Sequence, residues 1–125
     1  MTAAADAIPA AAARIAQLGA SAGLQQDACF QLQVAVSEAL NNIVEHALAG
    51  ASIAPVEIRC RTTPQCFEVT TRDHGRPMPA LPAPEFPDAH AESSRGWPII
   101  FSWVDSVEYQ ALADGNILTL KKNLP

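Results

Sequence analysis

Apolar residues recur along this chain with two periods, one helical and one of two residues, and they divide it into seven stretches. After Pro9, the positions Ala12, Ile15, Ala16 and Leu18 repeat at helical spacing and predict a first helix ending near Gly19 to Gly23. A stronger helical period runs from Gln26 to Leu48 and is closed by Gly50. "PVEIRCRTT" and "QCFEVTTRD" alternate with period two around a turn at "TPQ", the pattern of an antiparallel hairpin. The next segment, "HGRPMPALPAPEFPDAHAESSRG", holds five of the ten prolines, at 77, 79, 82, 84 and 87, and reads as a long loop. "WPIIFSWVDSV" predicts a short apolar helix, with Pro98 tolerated in its first turn. "SVEYQAL" and "NILTLKK" form a second hairpin around "ADGN". The order α, α, β, β, loop, α, β, β implies an α+β fold. It is a two-layer sandwich with a mostly antiparallel sheet and helices on one face.

On a helical wheel of ~100° per residue, Leu32, Val36, Ala39, Leu40, Ile43 and Ala47 gather on an arc expected to face the sheet. Glu38 and Asn42 lie one turn apart on the side opposite that arc, with Glu45 and His46 a turn further on. Two adjacent asparagines, Asn41 and Asn42, are poor choices for a helix interior, because the amide competes for backbone hydrogen bonds.

Composition narrows the functional classes. At 125 residues, 49% hydrophobic and 17% charged, the chain is expected to form one globular domain over residues 1–125. It contains no apolar run of the length a membrane helix needs. The alanine-rich start lacks the basic region of a signal peptide, so a cytoplasmic protein without a membrane partner is expected. Cys29, Cys60 and Cys66 are odd in number and without metal-ligand spacing, which fits reduced thiols. The three histidines are dispersed. A net charge of −5 with eight scattered basic residues argues against direct nucleic-acid binding.

Three constellations carry candidate chemistry. Glu38 and Asn42 offer a proton acceptor and a hard oxygen ligand for Mg²⁺ on one side of a helix; the plainer alternative is a solvated helix face. "TRDHGRPMP" ends a strand at Asp73, with Gly75 two residues on. This places a carboxylate where backbone can approach a ligand, or forms an ordinary Asx turn. "SSRGWPII" puts small residues, Arg95 and Gly96 before a helix. The helix N-terminus there is an anion site or simply a capped end.

Taken in order, these segments resemble the GHKL (Bergerat-fold, histidine-kinase-like) ATPases. More narrowly, "SEALNNIVEHA", "TRDHGRPMP", "SRGWPIIFSWVDSVEY" and "DGNILTLKK" resemble the anti-sigma-factor serine/threonine kinases of the RsbW/SpoIIAB type. The resemblance implies Glu38 as catalytic base and Asn42 as ligand to the Mg²⁺ that accompanies ATP. It implies Asp73 as acceptor for the adenine amino group, with Gly75 making room for the base. Arg95 and Gly96 fall at the phosphate-binding turn, and residues 76–94 form the lid over the phosphates. Asn41 would point to the other flank. The sequence departs from the family pattern at Pro77, at Ser94 in place of a turn glycine, and at Ile117 where a strand threonine is usual.

The function implied is an anti-sigma regulatory factor. It would use ATP and Mg²⁺ to phosphorylate a serine or threonine of an anti-anti-sigma (STAS-type) protein, and would sequester a sigma factor in a partner switch. Homodimers are common in that family. The alternative is a non-catalytic or weakly nucleotide-binding interaction module of the same fold. A third reading is a stand-alone ATP-binding domain serving another regulator.

Overall fold

The helices α1 (Ile8–Ala22) and α2 (Gln26–Asn42) come first, followed by strands β1 (Glu57–Thr62) and β2 (Cys66–Asp73). Helix α3 (Gly96–Trp103) and strands β3 (Ser106–Leu112) and β4 (Gly115–Asn123) complete the order. This computed structural model describes residues 7–44, 56–75 and 96–125, the first three of the last segment by backbone alone. The predicted lid at 76–94, together with Arg95, Glu45 and His46, lies outside the described residues.

The first helix stops because of Gly23, which adopts a left-handed conformation (φ 114°, ψ 4°) that L side chains resist. Its N–H donates to the Ala20 carbonyl at 3.1 Å, and the Leu24 N–H donates to the Gly19 carbonyl at 3.0 Å, a Schellman closure. Leu24 then turns into the core. The second helix is α-helical to Asn42 and residues 43–44 continue in a wider π-type turn; the rest of the expected span to Leu48 lies outside the described residues.

The four strands form one antiparallel sheet in the order β1-β2-β4-β3. Period-two alternation divides its faces. Val69, Thr71 and Asp73 of β2 and Asn116, Leu118 and Leu120 of β4 are buried, and Val69, Leu118 and Leu120 join the core with the helices. On the other face Arg61, Glu68, Lys121 and Glu108 form a row of alternating charge across all four strands. There the Glu108 carboxylate, hydrogen-bonded to the Lys121 ammonium, holds that group above its usual pKa. Burial pushes the Cys60 thiol up, and the three cysteines are free thiols.

The core joins Ile8, Ala12 and Ile15 of α1 to Leu32, Val36 and Leu40 of α2, Phe67 and Val69 of β2, Ile100 of α3 and Leu120 of β4. Helices α1 and α3 both pack against α2. The Lys122 ammonium ties the layers together, donating to Gln31 Oε1 of α2 at 2.7 Å and to the Trp103 carbonyl of α3 at 2.8 Å. Trp103 also meets Phe30 of α2, ring centroids 5.9 Å apart.

Gly115 matters for a different reason from Gly23. A methyl group on it would overlap the Asp73 carbonyl oxygen and come within 3.0 Å of the His74 Cα, so backbone of β4 reaches backbone of β2 only because no side chain intervenes. Gly115→Ala is expected to cost more stability than Gly23→Ala. The backbone overlap should cost about 2–3 kcal/mol, the left-handed strain about 1–2 kcal/mol. Urea unfolding of both variants checks the order.

Candidate functional site

The end of β2 and the start of β4 bring Asp73 opposite Asn116. Both are buried, at 3% and 2% exposure, on the side of the sheet that faces the helices. Burying a carboxylate is tolerated when donors surround it, and Asp73 Oδ1 has two. The Gly75 N–H donates at 2.8 Å and Asn116 Nδ2 at 2.9 Å. The first of these is the Asx turn anticipated from the sequence. Asn116 Nδ2 also reaches the Gly75 carbonyl at 3.3 Å, so Asn116 holds both Asp73 and the turn that follows it. Tyr109 of β3 donates its hydroxyl to Asn116 Oδ1 at 2.7 Å. The other carboxylate oxygen of Asp73 accepts no hydrogen bond from the described residues. It is therefore open to a donor on a ligand.

Asn116 was not singled out from sequence; attention fell on Ile117, the position compared with the family's strand threonine. The register decides the matter. Asn116 faces the helices beside Asp73, whereas Ile117 pairs with Arg72 on the open face of the sheet. Thr119 is on that open face as well, its Oγ1 3.4 Å from Thr70 Oγ1. The local signal was a polar residue directly after the turn glycine, ahead of the apolar pair Ile117 and Leu118.

Asn42 requires a correction. The wheel put it opposite the core arc with Glu38, yet it is buried at 6% exposure, while Glu38 is half-buried. Measured from Leu32, Ala35 lies at about 300°, Asn42 at about 280° and Glu38 at about 240° around the helix. Ala35 is fully buried because α2 is contacted by both other helices as well as forming the core with the sheet, so the buried arc is wider than one sheet-facing stripe. Asn42 sits on the edge of that arc with Glu38 just beyond it. Asn41, at about 180°, is the residue that points away, and it is half-buried.

The Nδ2 of Asn42 and the Oγ1 of Thr71, which shares the helix-facing side of β2 with Asp73, have no hydrogen-bond partner among the described residues. Buried polar atoms left so cost about 1–3 kcal/mol each, so both positions call for a reason other than the stability of the fold. No group of three or more His, Cys, Asp or Glu able to hold a metal occurs among the described residues. An Mg²⁺ ion carried on nucleotide phosphates needs only one or two protein oxygens; the orphaned atom of Asn42 is its donor Nδ2, which suits a phosphate or water oxygen, and only the amide oxygen of the same side chain could serve the metal. Gly96 is the first residue of α3, at the helix start expected to face phosphate. His74 is exposed, its Nδ1 3.2 Å from the Asp114 carbonyl oxygen.

A family model described as the histidine kinase-like ATPase domain matches residues 1–122. The chain belongs to that family. Its α+β architecture, with helices over an open antiparallel sheet, is the Bergerat fold of these ATPases. Among solved structures it is similar to the histidine kinase domain of a blue-light activated histidine kinase from Erythrobacter litoralis. The two superpose with a TM-score of 0.61 at 21% identity, over 78% of this chain and 45% of that one, so the chain spans less than half the length of that domain. No curated protein matches the sequence. For a histidine kinase-like ATPase domain, ATP is the expected ligand and ATP-dependent phosphotransfer the general chemistry. No helix among the described residues is long and apolar enough to cross a membrane.

The two orphaned or buried positions on α2 separate function from stability. Asn42→Ala is expected to leave urea stability within about 1 kcal/mol of wild type, since the amide satisfies no partner within the described fold. Leu40→Ala, at a fully buried position of the same helix, should cost about 2–5 kcal/mol. Equilibrium unfolding of the two variants checks the contrast.

Proposed function

We propose that this histidine kinase-like ATPase domain binds ATP with Mg²⁺ and phosphorylates a serine or threonine of a STAS-type anti-anti-sigma protein. By the same reading it sequesters a sigma factor when that antagonist is phosphorylated. The observation that carries the nucleotide part is Asp73. It is buried, with one oxygen doubly satisfied and the other without a donor among the described residues, at the strand end where a nucleobase amine is to be recognised. The narrower assignment to the anti-sigma kinases rests on the four segments around Glu38, Asp73, Gly96 and Gly115 and on their order.

Each residue has a part suited to its chemistry. Asp73 accepts a hydrogen bond from the adenine amino group, and Gly75 keeps the adjoining turn free of side chain. Asn42 offers its amide oxygen toward the phosphate-bound Mg²⁺, which when bound neutralises charge on the phosphates. The start of α3 at Gly96 directs free N–H groups toward phosphate oxygen, with Arg95 beside it in sequence as a cation. Glu38, one helical turn before Asn42 and half-buried, takes the proton of the attacking hydroxyl. The hydroxyl oxygen bonds to the γ-phosphorus, the bond to the β,γ-bridging oxygen breaks, and ADP leaves with that electron pair.

Titration calorimetry with ATP and Mg²⁺ is expected to show binding that Asp73→Asn weakens by about 10- to 100-fold, as a hydrogen bond to a charged group implies. Asn42→Ala should weaken the Mg²⁺-dependent part of that binding. A folded wild-type protein that binds no ATP would instead make this a non-catalytic interaction module. With ATP and a STAS-type antagonist, Glu38→Ala should retain ATP binding and lose about 10²–10⁴-fold in phosphoserine or phosphothreonine formation. Unchanged transfer in that variant removes Glu38 from the reaction.

A further inference from the structure

The Tyr109–Asn116–Asp73 chain has a direction. Asn116 presents two chemically opposite ends, a donor NH₂ and an acceptor oxygen, and in a buried position they are not interchangeable. Turned one way, Nδ2 donates to the Asp73 carboxylate and to the Gly75 carbonyl, as observed at 2.9 and 3.3 Å. Turned the other way, the amide oxygen would face a carboxylate and a carbonyl, three acceptors with no donor among them. The two acceptors fix the amide with Nδ2 toward Asp73, and the Tyr109 hydroxyl reinforces that orientation by donating to Oδ1 at 2.7 Å. The carboxylate is then clamped through Oδ1 by Asn116 and by the Gly75 N–H at 2.8 Å.

We propose that Tyr109 and Asn116 are a positioning pair that sets nucleobase choice at Asp73. They fix the carboxylate so that its second oxygen demands a donor from the purine 6-position and rejects a 6-oxo group. The inference rests on the nucleotide reading of Asp73 given above. Neither residue needs to touch the nucleotide; each acts through Asp73. A rigid acceptor discriminates strongly, because a 6-oxo purine brings its oxygen against a carboxylate that cannot turn away, leaving buried acceptors facing each other. A carboxylate freed to rotate yields part of that penalty. The three residues come from three adjacent strands, β3, β4 and β2, so the clamp is held by the sheet ladder rather than by a loop.

The test compares binding of ATP and inosine triphosphate, each with Mg²⁺, to wild type, Tyr109→Phe, Asn116→Ala and Asp73→Asn. Tyr109→Phe keeps the ring and removes only the hydroxyl, so the fold is retained, and thermal unfolding monitors this. Wild type is expected to prefer ATP. Tyr109→Phe should weaken ATP binding by roughly 3- to 10-fold and narrow the ATP-to-inosine ratio by a similar factor, with Asn116→Ala going further in the same direction. A purely structural role would lower the unfolding temperature and leave the ratio unchanged, and that result overturns the proposal. If wild type binds ATP in an Asp73-dependent way while Tyr109→Phe matches it in both affinity and ratio, the positioning pair alone is wrong. If wild type binds no ATP, the nucleotide reading falls, and the positioning role falls with it.

Discussion

The contact on which the rest of the site depends is the approach of the Gly115 backbone to the Asp73 carbonyl. Strand β4 lies between β2 and β3, so its register against β2 also determines what β3 can reach. With Gly115 at its start, β4 closes onto the end of β2, and Asn116 comes directly opposite Asp73. A one-residue slip would send Asn116 to the open face and bring Ile117 to Asp73, since side chains alternate between faces. The buried carboxylate would then lose one of its two donors. Tyr109, on the neighbouring strand, joins the same side because it pairs with Leu118, two residues along β4 from Asn116.

Helix α2 is the second organising element. Its neighbours on more than one side turn a conventional amphipathic helix into a largely buried one, and the change falls on residues chosen for something other than burial. Asn42 and Thr71 are buried without partners among the described residues, while Asp73 is buried with one oxygen undemanded. The orphaned Nδ2 of Asn42 and Oγ1 of Thr71 are each a small loss of stability that a well-packed apolar residue would avoid. They lie near the end of α2 and the end of β2, in a protein whose remaining core is ordinary packing of Leu, Ile, Val and Phe.

Much of the fold was legible before any coordinates. The two hairpins, the helices and the helix-on-sheet layering follow from period and punctuation, as at Gly23, where a left-handed glycine ends α1 within the range expected. Asp73, Gly75 and Gly96 were legible because each sits at an element boundary, where Asp and Gly carry local meaning. The change from α-helix to a wider turn at residues 43–44 was not, because the helical period of the side chains runs on unbroken past Asn42. Asn42 was identified as a residue, but its environment was misjudged, since a wheel assumes a single buried side and cannot see that two helices flank this one. Asn116 and Tyr109 were missed outright. Nothing within β3 or β4 says which residue of β2 each will face.

Local chemistry therefore determined the kinds of element, the apolar positions that form the core, the glycine that closes α1 and the acidic residue at the end of β2. Those properties depend on neighbours a few residues away, and the sequence contains them. Tertiary structure alone decided that Asp73 meets Asn116, that the Tyr109 hydroxyl reaches the far end of that amide, and that Asn42 is enclosed rather than solvated. These depend on the β2–β4 register and on how three helices share one sheet face. Such contacts join residues that are 43 apart for Asp73 and Asn116, and their geometry arises only when the strands and helices close on one another.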